Sequence, residues 1–342
     1  MTPLASGRLL EVEGLTTELR TSHGQLRAVD GVSFGLERGE ALAIVGESGS
    51  GKTLTCLSLV RLLPAVGRIT KGSVRLEGEE LTTKRERELR RVRGSRIAMI
   101  LQDPLGSLDP VYTVGNQLAE AIRLERPRPT RRDVRERSVR ALERVHIPQP
   151  ERRLRSYPFE FSGGMRQRVA AAIALARDPA LLVADEPTTA LDVTTQRQFL
   201  ELLADLRRER GMGLLLVTHD LGIVRDVCDR VAIMYAGRIV ETGTVEEVFA
   251  GPRHPYTRAL LAAVPRLSGP RVGRLTQIDG EPPDLVLSPP GCRFAPRCPF
   301  AADLCHREYP PAAGDPARFA ACWLQVPDPP AGAPRKSWEG RL

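Results

Sequence analysis

The sequence predicts an α/β fold with a mostly parallel sheet, and two observations carry that expectation. Apolar runs of strand length, Glu40 to Val45, Leu181 to Ala184 and Leu214 to Thr218, alternate with helix-length stretches at Lys52 to Leu63, Gly164 to Arg177 and Thr195 to Arg210. Strands reached through helices return in the same direction and are covered on both faces. A glycine-rich turn, Gly46 to Gly51, also joins the first of these strands directly to its helix. With 342 residues and 42% apolar content, the chain can bury one large core and carry a further appendage.

The remaining elements follow in chain order. Leu9 to Glu13 and Ala28 to Leu36 show the short apolar runs of strands around a loop at Ser22, His23 and Gly24, and predict a small antiparallel β-layer. Pro64 ends the helix that begins at Lys52. A second strand pattern occupies Gly72 to Leu76, and an arginine-rich helical stretch runs from Asn116 to His146. Within it Thr130 is the N-cap and Asp133 the first-turn acid, Val134, Ala141, Leu142 and Val145 share one face, and Pro148 and Pro150 close the stretch. From Gly251 the composition shifts towards proline, and four of the six cysteines follow. The Pro-, Ala- and Gly-rich stretch from Val326 is expected to be disordered.

The net charge of +8 is mostly arginine, concentrated in Lys84 to Arg96 and Arg123 to Arg155, where it alternates with Glu and Asp. Alternating signs predict solvated helical faces, and the scarcity of aromatic residues to stack on bases argues against a nucleic-acid surface. No apolar stretch approaches the roughly 18 residues that span a bilayer. The opening Met1-Thr2-Pro3-Leu4 has neither a basic start nor an apolar core, so residence in the cytoplasm is expected.

Gly46-Glu47-Ser48-Gly49-Ser50-Gly51-Lys52-Thr53 matches G-x-x-x-x-G-K-[ST] between a strand and a helix. In that context the glycines let backbone N–H groups turn inward onto phosphate oxygens, the helix N-terminus favours the anion, Lys52 adds a charge, and Thr53 offers a hydroxyl to Mg²⁺. Binding of a nucleoside triphosphate follows. The run Leu181 to Glu186 ends a buried strand with two acids. Asp185 can then hold Mg²⁺ through water and Glu186 can orient an attacking water, while His219, after the strand Leu214 to Thr218, can contact the γ-phosphate.

Phe161-Ser162-Gly163-Gly164-Met165-Arg166-Gln167-Arg168 resembles the signature of ABC ATPases, a second helix N-terminus capped by Ser162. It lies 110 positions after Lys52 and before the acidic strand, the order of that family. Gln102 looks like the glutamine that senses Mg²⁺ and the attacking water, Ala190-Leu191-Asp192 like the loop that crosses the dimer interface, and His219 like the switch histidine. The resemblance implies a P-loop NTPase of ABC ATPase type, with a mixed sheet core, a small antiparallel β-layer and a helical subdomain. It further implies ATP and Mg²⁺ as ligands, and shared sites in which Ser162, Gly163 and Gly164 of one subunit reach the ATP of another. Where many members stack an aromatic residue on adenine, this chain has Leu19 or His23.

Met165 in the signature, Asp103-Pro104 with Ser107-Leu108-Asp109-Pro110, Ala184 to Val193, His254-Pro255-Tyr256-Thr257, and Gly291-Cys292-Arg293-Phe294-Ala295-Pro296-Arg297-Cys298-Pro299 resemble the oligopeptide/dipeptide branch, which includes nickel importers. That branch implies an ATPase domain over 8–250 with a helical subdomain at about 104–160, an extension over 251–325, and a tail over 326–342. The implied partners are a second ATPase subunit, paralogous or identical, two permease subunits and an external solute-binding protein, with the chain on the cytoplasmic face of the membrane. Nickel or another solute in place of peptide remains open, and a soluble ABC ATPase acting on nucleic acid or ribosomes is the competing class. One set of motifs and no sustained heptads disfavour the latter.

Cys292, Cys298, Cys305 and Cys322 are separated by five, six and sixteen residues, unlike the two-residue loops of zinc ribbons. Two readings stand: thiols without metal, and a metal site, for which the resemblance to peptide importers implies a [4Fe–4S] centre. Cys56 and Cys228 are expected in the core.

Overall fold

The computed structural model describes residues 7–102, 104–125, 127–189, 191–264, 278–286 and 288–334. Of the motif positions named above, Asp103 and Ala190 lie outside the described residues, as does the tail from 335. The chain divides into two compact units that cut across the linear division expected at 250. One comprises Met1–Leu10, Leu36–Ala41 and Leu76–Val217, and the other Glu11–Gly35, Leu42–Arg75 and Thr218–Leu342. The second therefore contains both the phosphate loop and the cysteine-bearing segment.

In the first unit three strands run parallel, Ile97–Ile100, Leu181–Asp185 and Gly213–Thr218. Ile97 faces Leu181 and Ile100 faces Ala184, while Leu181 faces Gly213 and Asp185 faces Val217. Every residue of the latter two strands is buried, which is why their sequences are nearly continuous apolar runs. The strand Ile97–Ile100 was not legible in the sequence, because four residues behind an arginine-rich stretch carry too short a signal. The expected helical stretch 116–146 is two helices, Val114–Arg123 and Arg131–Arg144. Pro127 and Pro129 lie between them and cannot supply the N–H groups a continuous helix needs.

The cap of the second helix is as expected. Asp133 N–H donates to Thr130 Oγ1 at 3.2 Å, and Thr130 N–H donates back to Asp133 Oδ2 at 3.0 Å. Val134, Ala141, Leu142 and Val145 are buried. Arginines of the two basic stretches are paired with acids: Arg93 with Glu86 at 2.6 Å, Arg96 with Glu77 at 2.8 Å, Arg132 with Glu136 at 2.8 Å and Arg137 with Glu125 at 2.5 Å. The Arg93 and Arg137 side chains are only 18% and 26% exposed, so at these two positions the charge sits in a half-buried pair rather than on the solvated face expected.

In the second unit the strands Leu10–Thr21, Gly24–Leu36 and Gly67–Leu76 form the small β-layer, with the first of them in the middle. A buried hydrogen bond of 2.7 Å between the Thr17 and Ser58 hydroxyls ties this layer to the helix Lys52–Leu59. That helix stops four residues short of the end expected at Leu63. Arg61 takes a left-handed φ of 49°, Leu62 N–H reaches Leu57 O at 2.9 Å, and Arg61 N–H reaches Ser58 O at 3.1 Å. The backbone thus closes its own terminus before Pro64 can act.

The strand Ala41–Val45 is fully buried and pairs in parallel with Arg230–Tyr235, which turns through Ala236 and Gly237 into the antiparallel strand Arg238–Thr244. The cysteine-bearing segment then completes this sheet. Phe319–Ala321 pairs antiparallel with Arg238–Thr244, and Ala312–Gly314 pairs with Phe319–Ala321. What the composition marked as an appendage is built onto the edge of the core sheet. Residues 326–334, expected to be disordered, are also placed against it: Leu304 N–H donates to Gly332 O at 3.2 Å, and Val326 and Ala333 pack on a cluster of Ala295, Leu304, Cys305 and Trp323.

Cys56 and Cys228 are buried in the core as expected. Among the described residues no helix is long and apolar enough to cross a membrane.

Glu241 fastens the end of the sheet to the start of the extension. It is 2% exposed and accepts from Arg253 N–H at 2.7 Å and His254 N–H at 2.9 Å. Glu241→Ala leaves the buried His254 N–H and the part-buried Arg253 N–H unpaired and is expected to lower the unfolding free energy by about 3 kcal/mol in denaturant titration. Glu241→Gln, which keeps one accepting oxygen, should cost distinctly less.

Candidate nucleotide site

The functional side chains form two half-sites, one in each unit. The first is the phosphate loop, which leaves the buried strand Ala41–Val45 at Gly46 and enters the helix at Lys52. A Cβ at Gly46 would stand 2.0 Å from Met234 O, so only glycine allows the loop to lie this close to the neighbouring strand. Lys52 is 4% exposed, and its ammonium donates to Gly46 O at 2.8 Å and Glu47 O at 3.0 Å. It is held curled over its own loop. Ser50 is tied from outside, its carbonyl accepting from Gly237 N–H at 2.8 Å.

Two observations fit a phosphate here. The Ser50 hydroxyl is buried and has no protein partner among the described residues, and the helix that begins at Lys52 has no acid in its first turn. Glu47 is half-buried, while Ser48, Gly49 and Thr53 are exposed. His219 is exposed at the end of its strand, just before the Asp220-capped helix Leu221–Val227. Leu19 is half-buried on its strand, and His23 is exposed in the turn that follows.

The second half-site is acidic. Asp185 ends its strand 1% exposed. Glu186 has a left-handed φ of 43°, uncommon for a residue with a side chain, and its N–H donates to Val217 O at 2.9 Å. The carboxylate is oriented by two donors onto the same oxygen: Gln102 Nε2 to Oε2 at 3.2 Å and Thr189 Oγ1 to Oε2 at 3.1 Å. The structure thus brings Gln102 to Glu186, across 84 positions of sequence.

Ser162, Gly163 and Gly164 open the helix Gly163–Ala174, with the Ser162 hydroxyl accepting from Met165 N–H at 3.4 Å and no acid in the first turn. Ser162 and Gly163 are exposed. Asp192 caps the helix Val193–Arg210, accepting from Thr195 N–H at 3.0 Å and Thr195 Oγ1 at 2.7 Å. These bonds hold its carboxyl below the usual range, the backbone one contributing most.

Around the cysteines, Cys292 N–H donates to Cys305 O at 2.7 Å, and all four thiols line one cavity of about 20 Å³ together with His254, Phe294 and Trp323. Burial pushes the Cys292 thiol up to about 12 and the Cys298 thiol up to about 11, and raises that of Cys322. None of the four is in a disulfide. Among the described residues no three His, Cys, Asp or Glu side chains are set together as a metal-ligating group.

Sequence reasoning missed the outer fastenings of the phosphate loop, Tyr256, Gly237 and Arg297. The motifs that contain Tyr256 and Arg297 were legible, but only as markers of a branch.

A phosphate loop on a buried strand and an acid pair at the end of another, in a fold of mixed sheet, antiparallel layer and helices, define an α/β P-loop NTPase. Comparison with known proteins narrows the class. The ABC transporter family profile matches residues 29–189, and that of the oligopeptide/dipeptide transporter C-terminal region matches residues 240–305. The oligopeptide transport ATP-binding protein OppD of Bacillus subtilis (strain 168) is 46% identical over 98% of this chain and 94% of its own length. A probable peptide ABC transporter ATP-binding protein, y4tR of Sinorhizobium fredii, is 49% identical over 92% of this chain and 94% of its own. Among solved structures, the ATP-binding cassette MJ0796, in a dimeric post-hydrolysis state bound to ADP and Pi, has a TM-score of 0.63 and 26% identity. The match covers 69% of this chain and 98% of that one. The chain belongs to the ATP-binding proteins of ABC transporters, in their oligopeptide/dipeptide branch, and is an ATPase.

The loop geometry makes two glycines separable. Gly46→Ala forces a Cβ into Met234 O and is expected to abolish nucleotide binding, measured by fluorescence of a labelled ATP analogue. At Gly49, φ +77° with open space around the added carbon, alanine should cost only the roughly 1 kcal/mol of a left-handed residue and leave binding detectable.

Proposed function

We propose that the chain is the ATP-hydrolysing subunit that powers peptide import by an ABC transporter, bound peripherally at the cytoplasmic face of the membrane. It works beside a second ATPase subunit, with two permease subunits and an external solute-binding protein. The observation that carries this reading is the span of the likeness: 46% and 49% identity to ATP-binding proteins of peptide transporters runs through nearly the whole chain, and the C-terminal region matches as well.

Each residue has a proposed task. The loop Gly46, Glu47, Ser48, Gly49, Ser50, Gly51 cradles the β- and γ-phosphates with those backbone N–H groups that are not already given to Tyr256 or to the loop itself, and Lys52 supplies a positive charge. Thr53, Gln102 and Asp185 are oxygen donors of the kind Mg²⁺ takes, and the ion would neutralise phosphate charge there. Glu186 orients the attacking water and accepts its proton, a task supported by the two donors that aim its carboxylate. His219 contacts the γ-phosphate. Ser162, Gly163 and Gly164 present an exposed helix N-terminus to the ATP of the second subunit, and Asp192 lies on the interface loop. Glu186→Gln is expected to leave binding of a non-hydrolysable ATP analogue unchanged and to lower hydrolysis by roughly 10²–10⁴-fold. Undiminished turnover would remove Glu186 from this role.

The solute is selected by subunits other than this one, so import is tested in cells with and without the chain. Uptake of labelled di- and oligopeptides should be lost with it, whereas loss of Ni²⁺ uptake alone would assign the branch's other cargo.

For the cysteines the finer proposal is a [4Fe–4S] centre with a structural role. It is supported by four thiols and no carboxylate lining one cavity, the donor set such clusters take, although the thiols must close inward to ligate one. Anaerobic purification should yield about four iron and four sulfide per chain. Well-folded protein without either would overturn it.

A further inference from the structure

Arg297 lies in the cysteine-bearing segment, 250 residues beyond the phosphate loop, yet its guanidinium grips that loop. Nη1 donates to Glu47 Oε2 at 2.8 Å and Nη2 to Glu47 Oε1 at 3.2 Å, a bidentate pair whose arginine side chain is 6% exposed. The other donors are taken up as well: Nε by Asp279 O at 2.9 Å, Nη1 by Tyr235 Oη at 3.2 Å and Nη2 by Ile278 O at 3.1 Å. All five N–H groups of the fork are thus satisfied in one orientation. The guanidinium carbon also lies 5.8 Å from the Tyr235 ring centre and 6.0 Å from that of Phe294. The same loop residue is held at its backbone, Glu47 N–H donating to Tyr256 Oη at 3.0 Å.

Glu47 is an awkward residue for its place. It puts a carboxylate in a loop whose N–H groups receive a triphosphate, where an unneutralised acid repels the ligand. A buried bidentate arginine both cancels that charge and fixes where the carboxylate points. Arg297 has no such freedom to drift, because its short helical turn, Ala295–Arg297, is hung between Cys292 and Cys298: Ala295 N–H donates to Cys292 O at 3.0 Å and Cys298 N–H to Ala295 O at 3.2 Å.

We propose that Arg297 is a positioning residue for nucleotide binding: through Glu47 the cysteine-bearing segment holds the phosphate loop in its receptive shape and neutralises the one acid within it. This rests on the reading of Gly46 to Thr53 as the ATP site.

The test is the dissociation constant of a labelled, non-hydrolysable ATP analogue on the purified full-length chain, with the melting temperature recorded alongside. Arg297→Ala is expected to weaken binding roughly tenfold by leaving the Glu47 carboxylate bare. Adding Glu47→Gln to it should return the affinity to within about threefold of the parent, because the repulsion is gone. A residue that only stabilises the fold would lower the melting temperature and gain nothing from Glu47→Gln. Affinity of Arg297→Ala within twofold of the parent, or no recovery in the double variant, overturns the proposal. Should Arg297→Ala not fold, Arg297→Gln, which fills much of the space without the charge, carries the same comparison: weaker binding rescued by Glu47→Gln supports the proposal and parental affinity overturns it. Lys52→Ala is the control. If it too binds like the parent, the phosphate-loop reading itself falls, and this proposal with it.

Discussion

A phosphate loop works by keeping most of its backbone N–H groups for a ligand, so few of its own hydrogen bonds can shape it and most of its shape is imposed from outside. Here the imposing is done by the second unit. Met234 O closes on Gly46, Gly237 N–H holds Ser50 O, Tyr256 Oη holds Glu47 N–H and Arg297 holds the Glu47 carboxylate. Lys52 completes the frame from within by donating to two loop carbonyls. Four of these five fastenings come from residues beyond 230, so the late part of the chain is as much a part of the site as the motif.

That dependence explains the construction of the cysteine-bearing segment. It adds two strands to the edge of the sheet that carries the loop, and its Arg293, 3% exposed, pairs with Asp30 of the β-layer and donates to Ala236 O. Arg238 reaches the same Asp30 oxygen at 2.7 Å. Burying ions is costly unless they are matched, and a matched set tolerates few alternative placements. The ring cluster of Tyr235, Tyr256 and Phe294, with centres 4.5 to 5.4 Å apart, fills the space behind the loop.

The acidic half-site follows a different logic. Strands buried on both faces put their last residues at one end of a parallel sheet, and Asp185 and Glu186 lie there by register alone. Register does not aim a side chain. The left-handed backbone at Glu186 and the donors from Gln102 and Thr189 do that, and Gln102 follows a strand whose sequence gave no usable signal.

What the sequence determined by itself was local. The phosphate loop, the Thr130 cap, the Ser162 helix start and the buried strands at 181 and 213 are written in short-range chemistry: a glycine where backbones approach, an oxygen three residues before a free N–H, an unbroken apolar run. Patterns of that kind fade where an element is four residues long, as at Ile97–Ile100, or where a helix closes on its own backbone, as after Leu59. Only the tertiary structure decided that the cysteine-rich extension joins the core sheet, that Gln102 meets Glu186, and that Arg297 meets Glu47. Each of these joins residues far apart in the chain, and such a contact is selected by the packing of the whole unit, which no local spacing records.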